Sequence, residues 1–292
     1  MPPWGRFAAS GAALGAAGAA YALAEARSWR VREHRLPVAA GAPRLTILHV
    51  SDTHMQARDR VKARWLRGLP EILETAPDLV LATGDLVEDR SGIDPLVEAL
   101  GGLQARYGKW YVLGSHDYFH SSIPGFAKYF TGNRAVPRAK PADTPRLEAG
   151  LASSGWTSLT NRSETVEVPE GRIRLTGVDD PYIHRDDTSH LGRDPADVLA
   201  IGLVHAPEVV SEYALHRYDL IVAGHTHGGQ VRVPFAGAVV TNCSLPCALA
   251  VGPSRVGSSW LHVSPGVAQG KFVPLRFNCR PEVTVLTLEP SA

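Results

Sequence analysis

The chain has 292 residues and a formal net charge of +1, long enough to bury a real core and without the global field that draws a protein to nucleic acid. Hydrophobic residues make up 44%, which excludes a disordered chain. The three cysteines, Cys243, Cys247 and Cys279, are an odd, sparse set and no disulfide framework, and CSLPC has no second pair to complete a zinc site.

The first segment differs from the rest. Phe7–Ala24 reads FAASGAALGAAGAAYALA without a charge, and as a helix it reaches roughly 27 Å, barely a bilayer core. Three readings compete: an uncleaved membrane anchor, a cleavable signal peptide ending near YALAEA, and an ordinary soluble helix. Length and the basic flank of Arg27, Arg30, Arg32 and Arg35 favour the anchor. That arginine excess places the body in the cytoplasm, whereas cleavage would export it. Residues 1–36 are therefore read as anchor or signal plus basic linker, and residues 43–292 as the folded domain.

Within that domain RLTILHVSD (Arg44–Asp52) is a buried strand running into a loop. VKARWLRGLPEILET (Val61–Thr75) has helical spacing with a break at Pro70. PDLVLATGD (Pro77–Asp85) is a second strand. DPLVEALGGLQA (Asp94–Ala105) is a helix with Asp94 as candidate N-cap and Pro95 at its first position. KWYVLGSHD (Lys109–Asp117), DVLAIGLVHAPE (Asp197–Glu208) and YDLIVAGHTH (Tyr218–His227) continue the strand series, with TVEV (Thr165–Val168) and RIRLTGV (Arg172–Val178) between them. SSWLHVS (Ser258–Ser264) and EVTVLTLE (Glu282–Glu289) alternate like strands. Strands alternating with helices, then β-rich segments, give an α/β class: a two-sheet mixed β sandwich flanked by helices, preceded by an N-terminal hydrophobic helix.

The strand ends carry the chemistry. SDTH supplies Asp52 and His54, TGD supplies Asp85, GSHD supplies His116 and Asp117, VHAP supplies His205, and GHTHGGQ supplies His225 and His227. Each alone has a bland reading as a turn residue, a cap or a core histidine. In α/β sheets, however, ligands bind at the carboxyl ends of strands, so five such ends converge on one place. Imidazole and carboxylate without thiolate favour Mn, Fe or Zn. There are enough ligands for two divalent ions, with one carboxylate between them. Two such ions clamp the oxygens of a displacement at phosphorus and activate a water. The glycines of GHTHGGQ are read as room for two ligands side by side, with an anion near the backbone.

The series DxH…GD…GNHD…H…GHxH resembles that of the calcineurin-like metallophosphoesterases, from about Leu45 to Leu288. GHTHGGQ followed by PLRFNCRPEV (Pro274–Val283) looks like a bacterial subgroup whose members often carry an N-terminal anchor or export signal. Some relatives hydrolyse the pyrophosphate of UDP-2,3-diacylglucosamine, a lipid-linked substrate. The resemblance implies that Asp52, His54 and His227 hold a first metal, that Asp85 bridges, and that His205 and His225 hold a second. It also implies that His116 stabilises the transition state or protonates the leaving oxygen, with Asp117 orienting its imidazole. One position departs: GNHD is GSHD here, so Ser115 stands where the family places an asparagine ligand of the second metal.

After GSHD, the stretch Asp117–Lys140 interleaves Tyr118, Phe119, Phe126, Tyr129 and Phe130 with Lys128, Arg134, Arg138 and Lys140. It is read as a cap packed on the body, a lipid contact, or a stacking surface for single-stranded nucleic acid, the last disfavoured by the near-zero net charge. The expected activity is hydrolysis of a phosphate ester or pyrophosphate, possibly lipid-linked, at a membrane surface. The alternatives are a phosphodiesterase or nuclease acting on soluble substrate, and a metal-binding scaffold without turnover.

Overall fold

The apolar runs form strands because each is buried on both faces. In the computed structural model, which describes residues 15–120, 140–270 and 272–291, Leu45 and Ile47 enter one apolar layer while Leu48 and Val50 enter another. The same alternation splits Leu79 and Leu81 from Val80 and Ala82. These residues lie in β2 (Leu45–Val50) and β3 (Leu79–Thr83), which with β1 (Arg30–Val38), β4 (Gly108–Val112), β5 (Trp156–Ser158) and β14 (Glu282–Pro290) make a six-stranded sheet. Its order is β1-β14-β2-β3-β4-β5, with β2 to β5 mutually parallel.

A second six-stranded sheet contains β6 (Arg162–Val168), β7 (Gly171–Val178), β8 (Asp197–Val204), β9 (Leu220–Ala223), β12 (Gly252–Val256) and β13 (Ser259–Val263), in the order β12-β13-β9-β8-β7-β6. β10 (Arg232–Val233) and β11 (Gly237–Ala238) form a small ribbon apart from both. Ile47, Leu81, Trp110 and Leu286 of the first sheet share one core with Leu175, Ile201, Leu203 and Val222 of the second.

Helices cover the outer faces. On the first sheet lie α1 (Arg60–Arg67), α2 (Leu69–Leu73), α3 (Ile93–Gly101) and α5 (Thr144–Ser153), through Leu66, Leu69, Leu96, Leu100, Leu147 and Leu151. α4 (Ser115–Tyr118) is a single turn after β4, and α6 (Val210–Leu215) packs Val210 and Tyr213 on the second sheet. The expected sandwich is thus present. The expected break at Pro70 is present too: the chain turns at Gly68, and Pro70 sits in the first turn of α2, where its missing N–H costs nothing. α3 starts earlier than expected. Asp89, not Asp94, accepts from a backbone N–H, that of Ser91, in a 3-10 turn that feeds directly into the helix.

The N-terminal segment differs from its expected form. Residues 15–25 are helical, but the earlier part of Phe7–Ala24 lies outside the described residues. Among the described residues, no helix is long and apolar enough to cross a membrane. The helix ends docked on the body: buried Glu25 accepts from the backbone N–H groups of Asn278 and Cys279 at 2.9 and 2.7 Å. The expected basic linker, ending at residue 36, is instead most of β1 (Arg30–Val38), which pairs in parallel with β14. Arg30, Arg32 and Arg35 hid it by masking the alternation that buries Leu36 and Val38. The interleaved aromatic and basic segment falls largely at residues 121–139, outside the described residues.

Deleting residues 1–38 should therefore cost about 3–6 kcal/mol, from Leu36 and Val38 at roughly 1.5–3 kcal/mol each, and should uncover the β14 edge for aggregation. Deleting residues 1–26 leaves β1 in place. Urea unfolding compares the two, and equal midpoints would show that β1 contributes nothing.

Candidate metal centre

The parallel strands bring both sheets' carboxyl ends to one rim. Asp52 and His54 follow β2, Asp85 follows β3, Ser115, His116 and Asp117 open α4 after β4, His205 follows β8, and His225 and His227 follow β9. Five of these residues turn the chain through the left-handed region: Asp52 (φ 50°), His54 (37°), Asp85 (50°), His225 (70°) and His227 (48°). For non-glycine residues such backbone costs on the order of 1–3 kcal/mol each and persists where the surroundings over-determine it, characteristically at functional sites. Gly224 makes room of a different kind from that expected of the GHTHGGQ glycines. A Cβ there would collide with Ser51 Oγ, so this glycine clears the protein's own Ser51–Asp52 turn rather than a ligand.

The imidazoles are fixed by what their outer nitrogens touch. His205 Nδ1 lies 2.8 Å from the Thr83 carbonyl, His227 Nδ1 3.1 Å from that of Ala268, and His225 Nε2 3.1 Å from that of Asn242. His54 Nδ1 lies 3.0 Å from Glu88 Oε2. Each of these nitrogens faces an acceptor and so carries the proton, which leaves the lone pair on the other ring nitrogen. The inward Nε2 atoms of His54 and His205 are buried and have no hydrogen-bond partner. A buried polar atom left unpaired calls for an explanation, and a metal ion is the one these lone pairs fit.

The ligand atoms group accordingly. Asp52, His54 and His227 form one cluster, Asp52, Asp85 and His205 a second, and His54, Glu88 and His116 a third, each with its ligand atoms within 4.8 Å of one another. Asp85 Oδ2 stands between imidazoles, 3.3 Å from His205 Nε2, 3.6 Å from His54 Nε2 and 3.9 Å from His116 Nε2. Its other oxygen accepts from the His116 backbone N–H at 2.8 Å. Burial works against the Asp85 charge, but His205 and His116 outweigh it and hold the carboxyl well below the usual range. Burial opposes a charge on His205, yet Asp85 raises its affinity for a second proton well above the ordinary histidine value, and a cation held at Nε2 would displace that proton. Burial, and then the His205 charge, pushes His225 down to about 4, which keeps it a lone-pair donor at neutral pH.

The calcineurin-like phosphoesterase profile matches residues 45–229, from the start of β2 through the GHTHGG loop. The chain belongs to the calcineurin-like phosphoesterases. It is 28% identical to the metallophosphoesterase YkuE of Bacillus subtilis over 223 residues, 75% of this chain and 70% of that protein. YkoQ, also of Bacillus subtilis, is 26% identical over 82% of each chain. The phosphodiesterase YaeI of Escherichia coli is 27% identical over 74% of this chain and 72% of its own. The protein is thus a metal-dependent phosphoesterase.

In this phosphoesterase, Asp52, His54, Asp85, His205 and His227 fall within the ligand clusters. His225 lies beside them, its ring edge-on to His205 at 5.2 Å between centroids. His116 stacks edge-on against His54 at 4.7 Å. Ser115 is the half-buried first residue of α4. Asp117 does not take the place expected of it. Its carboxylate accepts from the backbone N–H groups of Leu86, Val87 and Gly114 at 2.9–3.1 Å, so it ties the Asp85 loop to the start of α4. The carboxylate at His116 Nδ1 is that of Glu88, 3.5 Å away.

Glu88 was missed in the sequence, although it lies three residues beyond Asp85 in the same loop. The carbonyls of Thr83, Asn242 and Ala268 were missed because a backbone acceptor leaves no mark on residue type. Glu88→Ala should weaken metal binding and activity by about 10–100-fold, the usual cost of losing the group that orients a metal-ligating histidine. Competition with a graded chelator measures it, and unchanged affinity would remove Glu88 from the centre.

Proposed function

We propose that the phosphoesterase holds two divalent ions, Mn, Fe or Zn, and hydrolyses a phosphodiester or pyrophosphate presented at a membrane surface. The observation that supports two ions is the position of Asp85 Oδ2, between His54 of one ligand cluster and His205 of another. Asp52, His54 and His227 hold one ion, His205 and His225 the other, and Asp85 serves both. Bound there, the ions would lower the pKa of a water and polarise the phosphoryl oxygens.

The chain's own groups do the rest. Glu88 and the Thr83, Asn242 and Ala268 carbonyls fix which nitrogen of each ring faces inward and aim it. His116, with Nδ1 on the Glu88 side, presents Nε2 to protonate the leaving oxygen. The phosphodiester reading draws on YaeI, whose name is that of a phosphodiesterase. The membrane reading draws on the uncharged Phe7–Ala24 segment and on exposed Tyr21 and Leu23, at 52% and 47%, on the helix that leads into the body. By the arginine flank, the body lies on the cytoplasmic side.

Hydrolysis of bis-p-nitrophenyl phosphate should follow bound metal, vanish with chelation and return with Mn. Asp85→Asn should lower it by about 100-fold or more, the scale set by losing a group that stabilises the transition state. Metal content near one ion per chain at full activity would reject the two-ion reading, and preference for p-nitrophenyl phosphate over the diester would reject the diester reading. A serine hydroxyl is a poorer ligand than an amide carbonyl. Ser115→Asn should therefore tighten the weaker metal site, and an unchanged titration curve would sink the idea that Ser115 limits it.

A further inference from the structure

A second concavity lies against the loop that carries His225 and His227. It encloses about 310 Å³, and none of the candidate metal ligands lines it. Its walls include Arg30 and Arg32 of β1, Arg232 of β10, Arg280, His34 and Glu282. Glu282 is the one carboxylate among the described lining residues. Arg30 takes that carboxylate at 2.7 Å, and Arg32 reaches it only at 3.9 Å. Arg232 and Arg280 each donate to a backbone carbonyl, of Gly228 at 3.2 Å and of Ser28 at 3.0 Å, and neither forms an ion pair among the described residues. Four guanidinium groups against one carboxylate give the concavity an excess of three positive charges, on a chain whose total is +1.

A concave, low-dielectric wall concentrates such a field. Guanidinium forks match the oxygens of phosphate two at a time, which a lysine cluster would not do. His34 reports the same field: burial first, then the charges of Arg32 and Arg30, hold its imidazole below the ordinary value. Its Nε2 is buried without a partner.

We propose that this cavity is a second anion site that binds a phosphate group, separate from the metal centre and joined to it through one loop. Arg232 holds the Gly228 carbonyl, and Cys279 Sγ lies 3.4 Å from that of His227. An anion that draws on Arg232 therefore bears on the backbone carrying a metal ligand. The phosphate could belong to a soluble phosphomonoester or to a lipid headgroup, since Glu25 at the end of the N-terminal helix docks on Asn278 and Cys279, which line the cavity.

The test titrates inorganic phosphate into the Mn-loaded full chain by calorimetry. Wild type should show two sites at sub-millimolar phosphate, and Arg32→Gln/Arg280→Gln should keep only the metal-centre site while bis-p-nitrophenyl phosphate hydrolysis is unchanged. Both arginines are exposed, so folding should survive, and the single variant Arg32→Gln checks this. In Asp85→Asn the cavity site should persist, so failure of the metal centre and failure of this proposal read differently. Flotation with phosphatidylglycerol against phosphatidylcholine vesicles separates the sources. A preference for the anionic vesicles that the double variant loses, without a second free-phosphate site, assigns the cavity to a lipid headgroup. A second free-phosphate site that the double variant loses assigns it to a soluble anion, and one that the double variant keeps overturns the proposal. One phosphate site in wild type together with a vesicle preference that the double variant keeps, or no preference at all, overturns the proposal.

Discussion

Asp85 keeps its charge where burial opposes it, and the arrangement of the rim follows from that constraint. A lone carboxylate at 3% exposure would take up a proton. Here His205, His54 and His116 surround one of its oxygens, and a backbone N–H holds the other. For the three imidazoles to reach a single oxygen, β2, β3, β4 and β8 must all end at one level. Two sheets with parallel central strands meet that requirement, and a meander would not. The left-handed backbone at Asp52, His54 and Asp85 is the local cost of turning the chain sharply enough to aim these groups inward.

A second buried charge supports the far wall. The Arg276 guanidinium is fully buried and donates to the carbonyls of Pro265, Ala268 and Cys279. A buried cation satisfied largely by carbonyls is stable only while those carbonyls stay in place. It therefore fixes the Pro265–Ala268 turn, and the Ala268 carbonyl in turn fixes the His227 tautomer. Burial pulls the Arg276 pKa down, but arginine starts so high that the charge remains. The candidate metal centre thus depends on a buried cation that reaches His227 through the main chain.

Most of the fold was legible because its central strands are fully buried and read as uninterrupted apolar runs, such as LVLAT and LIVA. The candidate ligands were legible because each follows such a run. What stayed hidden has physical reasons. β1 carries arginines on its exposed positions and looked like a linker. Glu88 sits in a loop where a carboxylate has many ordinary uses. The acceptors on His205, His225 and His227 are main-chain atoms, and Asp117 spends its carboxylate on main-chain N–H groups. Resemblance supplied a role for Asp117 beside His116, yet the carboxylate of Glu88 lies 3.5 Å from His116 Nδ1.

The neighbours of β14 carry a consequence for how the molecule assembles. This strand lies between β1 and β2, and the Arg30–Glu282 contact joins residues 252 apart. During synthesis β1 must wait for β14, some 252 residues further on, before the two can pair. Closing so long a loop is slow, and an unpaired strand edge invites other chains. The arginines that disguise β1 in the sequence also keep that waiting edge charged and soluble. The docking of Glu25 on Asn278 and Cys279, 253 and 254 residues further on, waits for the same stretch of chain.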